Sequence, residues 1–138
     1  MSHPDGLPDL FLDRSLGRIK VPRLLRAAGL RLITLAEHYG IPADEDVSDD
    51  EWLELAGRRG WVVLMKDTRI RYNRAEREAV KARRVRCFCL ANQHLAGDEM
   101  AARFLSNLDA IVRACEAPGP FIFAVHQTRI EKLQIGDE

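Results

Sequence analysis

This chain lacks net charge, long apolar runs and a cysteine framework, and each absence closes off a class of function. Its 21 Lys and Arg balance 21 Asp and Glu at a pI near 6.9, so no overall field draws it to a polyanion or a membrane surface. No apolar stretch approaches the length of a membrane span, and the opening MSHPDGLPDLFLD has neither the basic start nor the apolar core of a secretion signal. Cys87, Cys89 and Cys115 are an odd set with no CxxC pair and no histidine at zinc spacing. Cys87 and Cys89 point the same way on a strand and are poorly placed to bridge each other. These features read as a reduced, cytoplasmic chain with no membrane partner. His3, His38, His94 and His126 are scattered and share no ligand spacing.

What is present is an ordinary globular composition, 46% hydrophobic over 138 residues, which favours one domain with one core. The expectation is a single domain over residues 1–138, with 1–8 a mobile N-terminal tail and 134–138 a C-terminal tail. The neutral total hides strong segregation. Arg14 to Arg31 holds six cations and no acid, Glu37 to Glu54 holds eight acids and no cation, and Arg58 to Arg86 holds eleven cations against three acids. Such blocks serve first as solvated helix faces. They also allow a positive surface that attracts nucleic acid, with a few acids embedded in it.

Short apolar runs alternate with amphipathic stretches. The runs are 9–13, 30–35, 61–65, 85–90 and 121–125, and the stretches between them are 21–28, 49–59, 74–83 and 98–115. Strands joined by helical crossovers make a mainly parallel sheet with helices on both faces, so the fold class is α/β. Met100, Phe104, Leu108 and Ile111 recur at helical spacing and make 98–115 the clearest helix. Gly40 to Val47 reads as a polar loop.

In parallel sheets chemistry gathers at the carboxyl ends of the strands. Asp13 closes the first apolar run, and Asp67 follows the third with Lys66 between. Two carboxylates about 4 Å apart repel by roughly 4 kcal/mol at a surface-like dielectric, a conflict that a hard divalent ion with oxygen ligands resolves. Mg²⁺ or Mn²⁺ suits such a set, and can acidify a water and offset charge on a phosphodiester. Each acid also has a plainer reading. Asp13 and Asp67 suit turns or caps, and Asp49 and Asp50 lie in a first turn where Ser48 and Glu51 have capping-box spacing. Glu76 and Glu78 read as partners for arginines along their helix. An Asp nucleophile of the haloacid-dehalogenase kind is set aside, because Ser15 stands where that chemistry wants a second Asp.

The segments FLDRSLG, VPRLLRAAGLRLITL and SDDEWLELAGRRGWVVLMKDTRIRY, with GPF near the end, resemble the PIN-domain family, closest to VapC-type toxin nucleases with a compact Mut7-C-like arrangement. The resemblance covers nearly the whole chain. It implies a central parallel sheet with acids at the strand ends around Mg²⁺ or Mn²⁺. The first-strand Asp falls on Asp13, the helix-opening Asp on Asp49 with Trp52 at +3 and Ala56 at +7, and the Asp after the next strand on Asp67. The resemblance therefore moves Asp49 from cap to ligand. Met65 stands where many members carry Thr or Ser. No residue matches the family's further acid well; Glu37 is the nearest, with Asp50 next.

The implied activity is metal-dependent endoribonuclease cleavage by Asp13, Asp49 and Asp67, with Arg14, Lys66, Arg69 and Arg71 placed to hold phosphates. The implied partners are an RNA substrate, a cognate antitoxin and a second copy in a homodimer. The competing expectation is a catalytically weak PIN-like domain that binds RNA or protein.

Overall fold

A computed structural model describes residues 2–135 of the chain. Six strands form one sheet in the order β2-β1-β3-β4-β5-β6, where β1 is Leu10–Leu12, β2 Leu32–Thr34, β3 Val62–Met65, β4 Arg86–Leu90, β5 Phe121–Val125 and β6 Ile130–Leu133. All pairs are parallel except β5 with β6, a closing hairpin. The helices are α1 Lys20–Ala27, α2 Leu35–Tyr39, α3 Asp49–Arg59, α4 Arg74–Ala82, α5 Gly97–Ser106 and α6 Leu108–Ala114. Short 3-10 turns span Arg14–Leu16, Ala43–Asp46 and Thr68–Arg71. The α/β expectation stands.

Alternation along the strands sorts the core into two layers. Leu10, Leu12, Leu64 and Phe88 pack with Val21, Leu25, Met100 and Phe104 from α1 and α5. On the other face, Phe11, Val63, Met65, Cys87 and Cys89 pack with Trp52, Leu53 and Val80 from α3 and α4. The three cysteines are unbridged and buried, and burial pushes the Cys87 and Cys89 thiols well up from their ordinary value. A strand read from continuous apolar residues is thus flanked on both sides.

Several expectations change. The helix read over 98–115 breaks at Asn107, whose buried amide donates to the carbonyls of Arg103 and His126, each at 2.8 Å. A side chain that bonds its own turn competes with the helix ladder. β6 escapes an apolar scan because Glu131 and Lys132, both exposed, make up half of this four-residue edge strand. Residues 2–8, expected as a mobile tail, are anchored. His3 is buried, its Nε2 donates to the Leu7 carbonyl at 2.8 Å, its Nδ1 accepts the Arg31 N–H at 2.9 Å, and Leu7 is in the core. Of the expected C-terminal tail, Ile135 packs against the core, and 136–138 lie outside the described residues. The loop at 40–47 holds a 3-10 turn with Asp44 buried under a two-pronged contact from Arg18, at 2.9 and 3.1 Å.

The charge blocks acquire a structural meaning. Of the six cations between Arg14 and Arg31, four form ion pairs: Arg14 with Asp49, Arg18 with Asp44 and Glu45, Arg26 with Glu37, and Arg31 with Asp9. The first basic block is therefore largely neutralised, mostly by the acidic block. Among the described residues, no helix is long and apolar enough to cross a membrane.

Candidate active site

The site forms where the strand order reverses. The chain passes from β1 out to β2 and then back across β1 to β3. Connections leave a crevice at such a switch point, at the carboxyl ends of the strands. Crossover helices run back against the strands, so their first turns sit over that same edge. Asp13 follows β1, Asp67 lies just beyond β3, Asp49 opens α3, and Glu76 lies in the first turn of α4. All four line one cavity of about 460 Å³ with Arg14, Ser15, Met65, Arg69, Ile70 and Asn73.

Asp13 is only 6% exposed. Its Oδ1 accepts the Ser15 N–H at 3.2 Å and a short hydrogen bond from the Ser15 hydroxyl. Ser15 Oγ in turn accepts the Lys66 N–H at 3.0 Å, and the Lys66 carbonyl accepts from Gln93 Nε2 at 3.0 Å. This relay ties the ends of β1, β3 and β4 together. Burial, with a smaller push from Asp49, raises the Asp13 carboxyl from 3.8 to about 7 against the pull of Ser15.

Asp49 is aimed by its own helix. Trp52 is fully buried, and an unpaired indole N–H there would cost about 1–3 kcal/mol. Asp49 Oδ1, one helical turn back, accepts that N–H at 2.9 Å and Arg14 Nη1 at 3.2 Å. The capping box expected from Ser48 does not form: Ser48 is the N-cap residue, but its side chain makes no capping bond.

Glu76 hydrogen-bonds to Asp49. Burial first, then that bond and the charges of Asp49, Asp67 and Asp50, push it up from 4.5 to about 7. Asp67 is the opposite case. Arg69 donates from its backbone at 2.8 Å, from Nε to both carboxylate oxygens at 3.0 Å and from Nη2 at 2.8 Å, and holds the carboxyl below its ordinary value.

The sequence-derived residues divide accordingly. Asp13, Asp49, Asp67, Arg14 and Arg69 meet at the cavity. Arg14 is also fixed by the carbonyls of Asp44 and Val47, so its guanidinium braces the 44–49 segment. Lys66 contributes its backbone to the relay. Arg71 turns aside to stack on Tyr72, 4.5 Å from the ring centroid. Glu37 is elsewhere: it closes a capping box with Thr34 and takes both prongs of Arg26 at 2.7 and 2.9 Å. Asp50 is exposed and reaches the site through its charge on Glu76.

Glu76 and Ser15 were missed as site residues. The sequence reads Glu76 as a helix-surface partner for arginines, yet Asn73 caps its helix and places it three residues into α4. An acid in the first turn of a crossover helix is the available signal, the same one that Asp49 gives. Ser15 supplies a hydroxyl to the first aspartate, whereas Met65 is core and cavity wall.

The donor set is carboxylate oxygen with no histidine or cysteine among the cavity's lining residues. Two of the four carboxyls are raised to about 7, first by burial and then by neighbouring acids. Among the described residues, no three Asp, Glu, His or Cys side chains already converge as a metal-binding group. The chemistry of the cavity nonetheless fits a hard divalent ion.

Residues 8–92 match the family described as PIN like domain. The match spans more than half of the chain, which therefore belongs to that family. Beyond the family, the chain is 42% identical over 127 residues to the protein named "Putative ribonuclease VapC45" of Mycobacterium tuberculosis (strain H37Rv), covering 92% of each. No solved structure matches it.

Proposed function

We propose that this chain is a divalent-metal-dependent endoribonuclease, the toxin of a VapBC-type pair, with Asp13, Asp49, Asp67 and Glu76 holding the cation. The observation that carries this reading is the gathering of four carboxyls from four separate segments around one cavity at the sheet's switch point. The relative's ribonuclease name supports the chemistry and its VapC name the toxin role. When bound, a divalent ion, Mg²⁺ or Mn²⁺, supplies positive charge and lowers the pKa of a water.

The chain's own residues do the rest. Asp13 and Glu76 release protons that metal-free burial keeps on them near neutral pH. The Ser15 hydroxyl and the Trp52 indole fix the orientations of Asp13 and Asp49. Arg69, once it leaves Asp67, is placed to receive a phosphate oxygen. The cognate partners are an antitoxin that covers this edge and a second copy of the chain, and the setting is the cytoplasm.

Cleavage of single-stranded RNA with and without Mg²⁺ or Mn²⁺ tests the reading. Activity that disappears in EDTA and in a folded Asp67→Asn variant is expected; full activity in excess EDTA would sink it. One observation favours a second reading, a PIN-like module that binds without cutting: Arg69 already satisfies both oxygens of Asp67. RNA affinity without cleavage in either metal would support that alternative.

A further inference from the structure

We propose that Tyr72 is a stacking platform for a nucleobase beside the acidic cavity. The inference rests on the ribonuclease reading and adds a substrate-positioning residue to it.

Tyr72 is 65% exposed, and among the described residues Ile19 and Ile41 are the other large apolar side chains that stand out in this way. It is not on a loose segment. Its N–H donates to the Arg69 carbonyl at 2.9 Å and closes the 68–71 turn. Arg69 and Ile70 before it and Asn73 after it all line the acidic cavity. Tyr72 does not itself line the cavity but stands in sequence between residues that do, which places it at the cavity's rim.

The Arg71 guanidinium lies 4.5 Å from the ring centroid, a cation on an aromatic face. Arg71 Nε is buried without a hydrogen-bond partner, so it is stacking that positions this guanidinium in the structure. The cation covers part of a ring whose residue stays 65% exposed, which leaves aromatic surface for a planar ligand.

Charge selects the kind of ligand. From Thr68 to Ala75 there are three arginines, Arg69, Arg71 and Arg74, and no acid. Arg69 is engaged by Asp67, so this turn offers a phosphate backbone Arg71 and Arg74, with Arg69 added once it leaves Asp67. A protein partner held by an exposed tyrosine would be recognised through apolar packing. A phosphate backbone with one splayed base uses both the arginines and the ring. Bases inside a duplex are stacked on each other and present no face to Tyr72.

The test measures oligoadenylate and oligouridylate binding by fluorescence anisotropy without metal, and cleavage with Mn²⁺, for wild type, Tyr72→Ala, Tyr72→Trp and Tyr72→Leu. Tyr72→Ala should weaken single-strand binding and raise KM by about 5- to 100-fold, with kcat much less affected. Tyr72→Trp should restore affinity and Tyr72→Leu should not. One abasic nucleotide, scanned along the strand, should cost wild type a similar factor at one position and cost Tyr72→Ala nothing there.

Unchanged affinity in Tyr72→Ala, full rescue by leucine, or equal abasic sensitivity in wild type and Tyr72→Ala overturns the proposal. Loss of antitoxin capture with RNA binding intact does so too, and reassigns the ring to a protein interface. If wild type binds RNA through Tyr72 but never cuts it, the nuclease reading fails and the platform stands.

Discussion

Replacing Asp13 with Asn should stabilise the metal-free protein above neutral pH and leave it nearly unchanged near pH 4. Asp13 is 6% exposed, and its hydrogen-bond donors are the Ser15 hydroxyl and N–H. Burial moves its ionisation from 3.8 to about 7. That displacement corresponds to about 4 kcal/mol between the protonated and ionised forms. Between those two values the fold keeps a proton that the unfolded chain has released, so stability falls as pH rises through the interval and levels off above it.

Glu76, raised from 4.5 to about 7, acts in the same direction. It is only partly buried, and solvent screening reduces its share to about 1 kcal/mol. Asn at position 13 keeps an acceptor for Ser15 and carries no charge. In EDTA, denaturant unfolding should find Asp13→Asn more stable than wild type by about 2–4 kcal/mol at pH 8 and within about 0.5 kcal/mol at pH 4. Excess Mn²⁺ at pH 8 should then stabilise wild type, since a ligand that binds only the folded state raises its stability. It should do little for the variant. A wild-type stability that is flat or rising from pH 4 to 8 in EDTA, or an Asp13→Asn variant less stable than wild type at pH 8, refutes the reasoning.

Three further outcomes are expected. Glu76→Gln should weaken Mn²⁺ binding by about 10- to 100-fold in calorimetry while the protein stays folded, which separates a site carboxylate from the helix-surface role its sequence suggests. Arg69→Ala releases both oxygens of Asp67, so Mn²⁺ should bind more tightly to the RNA-free protein; weaker binding would show that Arg69 orders Asp67 for the metal. Gly119→Ala should lower stability by about 1–3 kcal/mol in thermal or denaturant unfolding, because a Cβ there would lie 2.1 Å from the Arg84 carbonyl oxygen.

The strands and most helices were legible because their signal is local. Val62 to Met65 and Arg86 to Leu90 are nearly continuous apolar runs, and only a strand covered on both faces tolerates that pattern. Asp13 and Asp67 are legible as strand-end acids for the same reason, whereas Asp49 reads as a helix cap from its own surroundings and becomes a ligand candidate only through the family resemblance. Glu37 was misplaced because its signal is also local: an acid three residues after Thr34 serves the Thr34 capping box and Arg26. Glu76 is not legible as a site residue because its neighbours along the helix include cations, and nothing in the order of residues says that α4 begins over the same edge as α3.

The sequence by itself determined the α/β class, two of the four cavity acids, Asp13 and Asp67, and the basic and acidic blocks, since periodicity, strand-end position and charge runs are properties of neighbouring residues; Asp49 entered through the family resemblance. The tertiary structure decided which charges cancel, that Ser15 links Asp13 to β3, and that Glu76 meets Asp49 across the cavity. Those contacts join segments far apart in the chain. They exist only once the crossover from β2 to β3 brings the two sides of the switch point together.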